Sequence, residues 1–264
     1  MTEAGGIDQP FRAVWIRRVA LAALVANLFA IITVNFWIYY ARILFSALRP
    51  DYVSVQPPTI SRAISEPSVG EPFSFWITLS AVLLVFGVFW LGSFQRRLLP
   101  HTGAPGRYLV QALSVGAPLV ILLQVMAGVG MYMLSSYRFP DFNQLHMAGS
   151  YLFFLSQALV IIIGTVQCDA LLKDRASLKE LAAAGLISPR MVWLRKRAGQ
   201  LAIALTLLYI ILFKLKDIDF NVMNEYVYVA YTTTEPLLIT AFLLVLALFQ
   251  TDLLALRRLP QRPS

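Results

Sequence analysis

The sequence is poor in the residues that form disulfides and metal sites. Its 264 residues include one cysteine, Cys168, and two histidines, His101 and His146. A single cysteine cannot form an internal disulfide, so a disulfide scaffold is excluded. Two histidines and one cysteine do not make a metal site, and a haem with two histidine ligands is excluded because His101 and His146 are predicted on opposite sides of a membrane. We therefore expect no metal and no cofactor.

Charged residues are also scarce. They make up 14% of the chain, while hydrophobic residues make up 58% and the mean hydropathy is +0.69. Soluble globular domains carry about 25% charged residues. This composition excludes a water-soluble single domain, a disordered chain and a coiled coil.

Long apolar segments take the place of the missing charges. Crossing about 30 Å of hydrocarbon takes roughly 20 apolar residues, and within lipid a continuous segment satisfies its backbone only as a helix. The sequence thus predicts an all-α membrane protein with a single domain of six transmembrane helices. The predicted spans are residues 19–41, 73–94, 108–134, 145–171, 198–213 and 227–250, with an outer loop 42–72 and a cytoplasmic loop 172–197.

The basic residues are distributed unevenly between the two sides. The net charge is +8, and 16 of the 22 lysines and arginines lie in the two tails and in the loops after spans two and four. Cytoplasmic segments carry such an excess, so both termini are predicted in the cytoplasm. The basic isoelectric point then reports topology rather than a nucleic-acid partner. The membrane would be the cytoplasmic membrane of a bacterium, or an endomembrane or plasma membrane of a eukaryote.

The basic loop and the fifth span contain helix signals. Ser177 and Glu180 have the spacing of a capping box, which predicts a short helix that begins at Ser177 and ends at Gly185. Ser188 and Pro189 suit the N-cap and first turn of the fifth helix. If that helix covers residues 191–197, Arg195 and its neighbours are expected to reach the membrane interface.

One acid, Glu235, lies within the outer half of span six, directly before Pro236. A buried carboxylate is costly, so it should face the bundle and be paired or protonated. Two interpretations remain open: a helix that begins late, with Glu235 in its first turn, or a lipid-headgroup or proton site. The threonines before Pro236 are expected to bond the carbonyl that proline frees. His146, at the outer start of span four, is either an interfacial histidine or a partner of Glu235.

Three segments together resemble the Frag/DRAM/Sfk family, which includes the damage-regulated autophagy modulators and the GPI-lipid-remodelling factor. Pro58-Thr59-Ile60-Ser61 looks like the family's Ile-Ser motif before span two. His146-x-x-Gly149-Ser150, followed by Phe153-Phe154, is similar to its His-x-x-Gly-Ala pattern. Glu235 matches its acid at the start of span six, although Pro236 stands where the family tends to have an aromatic.

The resemblance implies six spans with cytoplasmic termini and a role in lipid handling. Family members are linked to GPI-anchor lipid remodelling, phospholipid distribution across the bilayer, recruitment of a lipid kinase, and autophagy. It also implies that Ser61, His146 and Glu235 form a polar cluster at the outer leaflet.

Three functions compete. The first is a lipid-associated protein without bond-breaking chemistry, which binds or organises lipid at the outer leaflet through Ser61, Thr59, His146, Thr234 and Glu235. Its partners are membrane lipids, and a membrane-protein partner would contact loop 42–72 or loop 172–197. The second is a lipid acyltransferase or hydrolase in which His146 is the base, Glu235 orients it and Ser61 is the nucleophile. The third is a proton-coupled transporter or flippase that uses Glu235.

Overall fold

The computed structural model describes residues 8–219 and 223–258, with side chains described over 14–219 and 223–254. Glu3 and Arg262, which contribute to the charge of the two predicted cytoplasmic tails, lie outside these ranges. Within them the chain forms helices and no strand. The α-helices are α1 (Asp8–Leu48), α2 (Pro50–Val53), α3 (Ile60–Ala63), α4 (Pro67–Arg96), α5 (Arg107–Ser114), α6 (Gly116–Ser136), α7 (Asn143–Lys173), α8 (Arg175–Ala183), α9 (Pro189–Leu215) and α10 (Asn224–Arg258).

Among the described residues, six helical segments are long and apolar enough to cross a membrane. They are α1, α4, α5 with α6, α7, α9 and α10. The predicted fold class, an all-α membrane protein with six spanning helices, is confirmed. The cytoplasmic position of the termini stays a prediction from the basic residues.

The six segments form a closed ring in chain order. Each packs against the next, from α1 through α4, α6, α7 and α9 to α10, which returns to α1. Ile16 of α1, Phe94 of α4 and Leu253 of α10 line one small cavity, so the start of α1 and the end of α10 lie at the same end of the bundle. We call this the terminal end and the opposite end the distal end.

Helices α6 and α7 pack closely against each other. A Cβ atom at Gly130 would lie 2.5 Å from the backbone nitrogen of Phe153, and one at Gly149 would lie 2.7 Å from that of Leu134. Only glycine permits this approach, which is typical of packing between membrane helices. The contact holds the distal end of α7, with His146, against α6.

The helices extend beyond the predicted spans. Because α1 runs to Leu48 and α4 begins at Pro67, the predicted loop 42–72 shortens to residues 49–66, which include α2 and α3. The fifth helix begins at Pro189, with Ser188 at the N-cap as the sequence indicates. Part of the predicted loop 172–197 is therefore helical.

The capping box predicted at Ser177 is wrong. Helix α8 begins at Arg175, and its N-cap is Asp174, whose Oδ1 accepts a hydrogen bond from the backbone nitrogen of Ser177 at 3.1 Å. The other oxygen of Asp174 accepts from the backbone nitrogen of Gly106 at 2.8 Å, and this bond lowers the pKa of Asp174. The helix ends before Gly185, whose φ of 69° only glycine adopts readily.

The side chain of Arg195 does not extend outward as predicted. Arg195 is 3% exposed and donates to both carboxylate oxygens of Asp252 in α10, at 2.8 and 2.6 Å. It also donates to the Leu248 carbonyl at 3.0 Å and to the Thr251 hydroxyl. Because α10 offers a carboxylate at the same depth, the guanidinium turns into the bundle instead of toward water. The pair ties α9 to α10 near the terminal end.

Candidate functional site

The candidate site lies at the distal end, where α3 packs against α1 and α10. Thr59 is the N-cap of α3, and its hydroxyl accepts a hydrogen bond from the backbone nitrogen of Arg62 at 3.0 Å. This cap fixes the turn that carries Ile60 and Ser61. The role of Thr59 in the structure is thus to shape the segment, because its side chain is occupied by its own helix.

His146, in the first turn of α7, is 2% exposed and joins two other segments. Its Nδ1 lies 3.1 Å from the Tyr137 carbonyl oxygen, and its Nε2 lies 2.8 Å from the Ser61 hydroxyl. A carbonyl can only accept, so Nδ1 carries the hydrogen. In the neutral ring, Nε2 is then an acceptor, and Ser61 donates to it.

Glu235 lies well inside α10 and is 5% exposed. The interpretation that its helix begins late, with Glu235 in the first turn, is wrong because α10 begins at Asn224. The Oε2 of Glu235 accepts a hydrogen bond from the backbone nitrogen of Ile60 at 3.0 Å. Within the described part of the chain, no lysine or arginine forms a salt bridge with it.

Thr234 is adjacent to Glu235, but its side chain serves its own helix. Its hydroxyl donates to the Ala230 carbonyl at 2.7 Å, and that of Thr232 donates to the Val229 carbonyl at 3.1 Å. Pro236 has no N–H group and so leaves the carbonyl of Thr232 without its helical donor. The hydroxyls of Thr232 and Thr234 bond other carbonyls and not this one. The expectation that the threonines bond this freed carbonyl is therefore wrong.

A small cavity of about 40 Å³ lies among these groups. Its polar lining comes from Ser61, Ser150 and Glu235, and the rest of the lining is apolar. A water molecule needs about 10–15 Å³ of such space, so the cavity has room for a few water molecules or one polar group of a ligand.

In the structure, Ser61 is hydrogen-bonded directly to His146, and Glu235 accepts a hydrogen bond from the residue before Ser61, Ile60. Glu235 does not orient His146, because both ring nitrogens are occupied by Ser61 and Tyr137. The backbone partners, the Tyr137 carbonyl and the Ile60 N–H, leave no sequence signal because every residue carries such groups. Ser150 could have been found, since it lies one helical turn after His146.

Over the described residues, no group of three or more histidine, cysteine and acidic side chains could hold a metal ion. What the arrangement offers is a hydroxyl that donates to an imidazole, with a carboxylate close by.

Fold and site together define a class: the chain is a multi-pass integral membrane protein with a buried polar cluster at one end of a six-helix bundle. Comparisons of the chain with protein-family models, with curated proteins and with solved structures found no match.

Proposed function

We propose that the protein is lipid-associated and holds a polar group of a lipid at the distal end of the bundle. The observation that carries the proposal is that Ser61 and Glu235 line one cavity beneath the 49–66 segment, with His146 hydrogen-bonded to Ser61 behind it. The charge distribution predicts this end at the outer or lumenal leaflet. The resemblance to the Frag/DRAM/Sfk family supports lipid handling as the task.

The chemistry of the cavity suits one end of an amphipathic molecule. Its lining is mostly apolar, while Ser61, Ser150 and Glu235 supply oxygen atoms that can accept hydrogen bonds; the hydroxyls of Ser61 and Ser150 already donate to His146. Sites of this type bind through apolar contact and take their specificity from a few polar groups. Because the cavity is small, it would take one hydroxyl or similar group of a lipid rather than a whole headgroup.

The test is lipid analysis of the purified protein. Wild type, His146→Ala and Glu235→Gln are purified in a mild detergent, and the lipid extracted per mole of protein is identified by mass spectrometry. Ser74→Ala is the matched control, since Ser74 bonds Ser136 at the same end at 3.1 Å without lining the cavity. We expect both site variants to lose a lipid that wild type and control retain. Equal lipid content in all four proteins contradicts the proposal.

A second candidate function rests on one specific contact, the 2.8 Å hydrogen bond between Ser61 and His146. A serine that donates to an imidazole held by a third group has the geometry of an activated nucleophile. Ser61 Oγ would attack an ester carbonyl carbon while its proton passes to His146 Nε2. That proton would then pass to the leaving alcohol as the ester bond breaks, giving an acyl-serine that water or an acceptor alcohol resolves.

Covalent labelling tests this second candidate. A lipid-like fluorophosphonate should add to Ser61 in wild type and in Ser74→Ala, and the site is located by peptide mass spectrometry. Ser61→Ala should abolish the label, and His146→Ala should slow it by about 100-fold or more, because general-base catalysis contributes that much. Labelling that is unaffected by His146→Ala would contradict the hypothesis that His146 activates Ser61 as a nucleophile.

A further inference from the structure

Two arginines at the distal end have buried nitrogen atoms without partners. Within the part of the chain that the structure describes, Nε of Arg62 and Nη1 of Arg138 are buried and make no hydrogen bond. Neither residue forms a salt bridge with a described acid. Glu66, an acid in the same segment, is bound to Arg49 at 2.6 Å.

His146 connects the segments that carry these arginines. One ring nitrogen bonds Ser61, the residue before Arg62, and the other bonds Tyr137, the residue before Arg138. The two guanidinium groups therefore belong to chain segments fixed to the same imidazole.

Each arginine is also held by its surroundings. The guanidinium carbon of Arg62 lies 5.0 Å above the centre of the Tyr52 ring, a cation–π contact. Arg138 lies against the first turn of α4, where a Cβ atom on Gly70 would come within 2.5 Å of Nη1. That turn is the positive end of a long helix, which makes the surroundings of Arg138 still more favourable to an anion.

Both arginine side chains are half-buried, and the buried nitrogen of each lacks a partner that an anion could supply. A cationic N–H group that is removed from water without a partner is costly, and phosphate oxygens accept two parallel hydrogen bonds from arginine. Arg138 follows the end of α6, and Arg62 lies in the segment that precedes α4, so both stand where the spanning helices end. Phospholipid phosphates occupy this level of a bilayer.

We infer that Arg62 and Arg138 bind a phosphate group at the distal end, next to the Ser61–His146 pair. The inference rests on the proposed function and names the chemistry of its ligand. A phospholipid would place its phosphate on the arginines and a neighbouring polar group in the cavity. A free phosphate ion would use the same two side chains, so the test distinguishes the two sources.

The experiment measures thermal unfolding of the delipidated full-length protein in a nonionic detergent. It is titrated separately with phosphatidylglycerol, with diacylglycerol of the same acyl chains and with inorganic phosphate. We expect phosphatidylglycerol, but not diacylglycerol, to raise the midpoint temperature. A rise with inorganic phosphate at millimolar concentration would also support the arginine site and would identify the ligand as a free ion.

Arginine variants decide whether these residues are responsible. Arg62→Gln and Arg138→Gln should weaken the apparent affinity for the phosphate compound about tenfold or more, the effect of losing a charged hydrogen bond. Arg138→Lys, which keeps the charge without the planar fork, should weaken it less and shows that loss of binding does not reflect misfolding. Arg49→Gln is the matched control, because Arg49 is an exposed arginine of the same end already paired with Glu66.

The inference is overturned if diacylglycerol acts as well as phosphatidylglycerol, or if both glutamine variants respond like wild type. Its failure is distinguishable from that of the proposed function. If only the inference is wrong, wild type still retains a lipid that depends on His146 and Glu235, and Arg62→Gln and Arg138→Gln retain it as well. If the proposed function is wrong, the site variants and wild type carry the same lipid.

Discussion

The two ends of the bundle each bury one acid in α10, but they treat it differently. At the terminal end, Asp252 is 3% exposed and receives both arms of the Arg195 guanidinium. At the distal end, Glu235 is 5% exposed and receives one backbone hydrogen bond, from Ile60. Asp252 has the counterion that a buried charge requires. Glu235 lies beside a cavity, and its carboxylate could accept more hydrogen bonds than the one from Ile60.

This difference separates a structural charge from a candidate functional one. A buried ion pair whose members satisfy each other holds helices in register, and removing one member leaves the other uncompensated. An acid without a counterion contributes little to the stability of the fold. Acids of this kind within membrane segments commonly mark binding sites or proton paths. The contrast indicates that the Arg195–Asp252 pair stabilises the α9–α10 contact, and it supports the ligand site that we propose at the distal end.

The largest expected effect is loss of the terminal ion pair. Asp252→Asn leaves the Arg195 charge buried without a counterion and should cost about 3–5 kcal/mol of unfolding free energy. The double variant Arg195→Leu with Asp252→Leu should recover most of that loss, because both charges are then gone. Unfolding in detergent mixtures checks both, and a single variant as stable as wild type would show that the pair is not structural.

The next largest effect is expected for His146→Ala. The change removes bonds to Ser61 and Tyr137 and leaves a void between α7 and the 49–66 segment, at a cost of about 2–3 kcal/mol. Amide exchange should become faster in residues 56–66 and stay unchanged around Arg195. Ser74→Ala should lose less than about 1 kcal/mol. Equal protection of residues 56–66 in wild type and variant would contradict the role of His146 as a connection.

Glu235→Gln is the sharpest test of the contrast between the ends. A neutral amide costs less to bury than a carboxylate, and its oxygen can still accept from the Ile60 nitrogen. The unfolding free energy should therefore change by no more than about 1 kcal/mol, with stabilisation as the favoured direction. A loss as large as that of Asp252→Asn would show that Glu235 has a structural partner after all.

The smallest effect concerns Asp174, the N-cap of α8. Asp174→Asn keeps a capping oxygen but removes the charge, and should cost about 0.5–1 kcal/mol at neutral pH. Because folding lowers the pKa of Asp174, its contribution is present above the unfolded value of about 3.9 and is lost as the pH falls through the folded value. The difference between wild type and variant should thus shrink in acid. A difference that grows in acid would contradict this linkage.

Much of the fold could be predicted from the sequence, because six long apolar segments leave helices as the solution within lipid. The limits of the helices were less predictable. The basic run around Arg195 and the proline at 72 look like boundaries, yet α9 and α4 continue through them, and α4 begins at Pro67. The Arg195–Asp252 ion pair could not be predicted, because Asp252 follows the predicted sixth span and a single sequence does not show which faces of two helices meet.

For the candidate site, the sequence predicted the residues better than their partners. Ser61, His146 and Glu235 do gather at one end, although Thr59 and Thr234 bond within their own helices. The expected support of His146 by Glu235 is replaced by backbone groups, which sequence patterns do not reveal. The sequence carries no signal for Arg62 and Arg138, because an arginine in a loop is ordinarily solvated.

By itself, the sequence determined that this protein is a bundle of membrane-spanning helices, because composition and segment length decide what can cross lipid. It also isolated Glu235 as a costly charge. Only the tertiary structure decided that α1 and α10 meet to close the ring, that His146 joins Ser61 to Tyr137, and that Asp252 has a counterion while Glu235 has none among the described residues. The physical reason is that the hydrophobicity of a segment depends on its own residues, whereas hydrogen bonds and ion pairs depend on which helix faces meet in the folded protein.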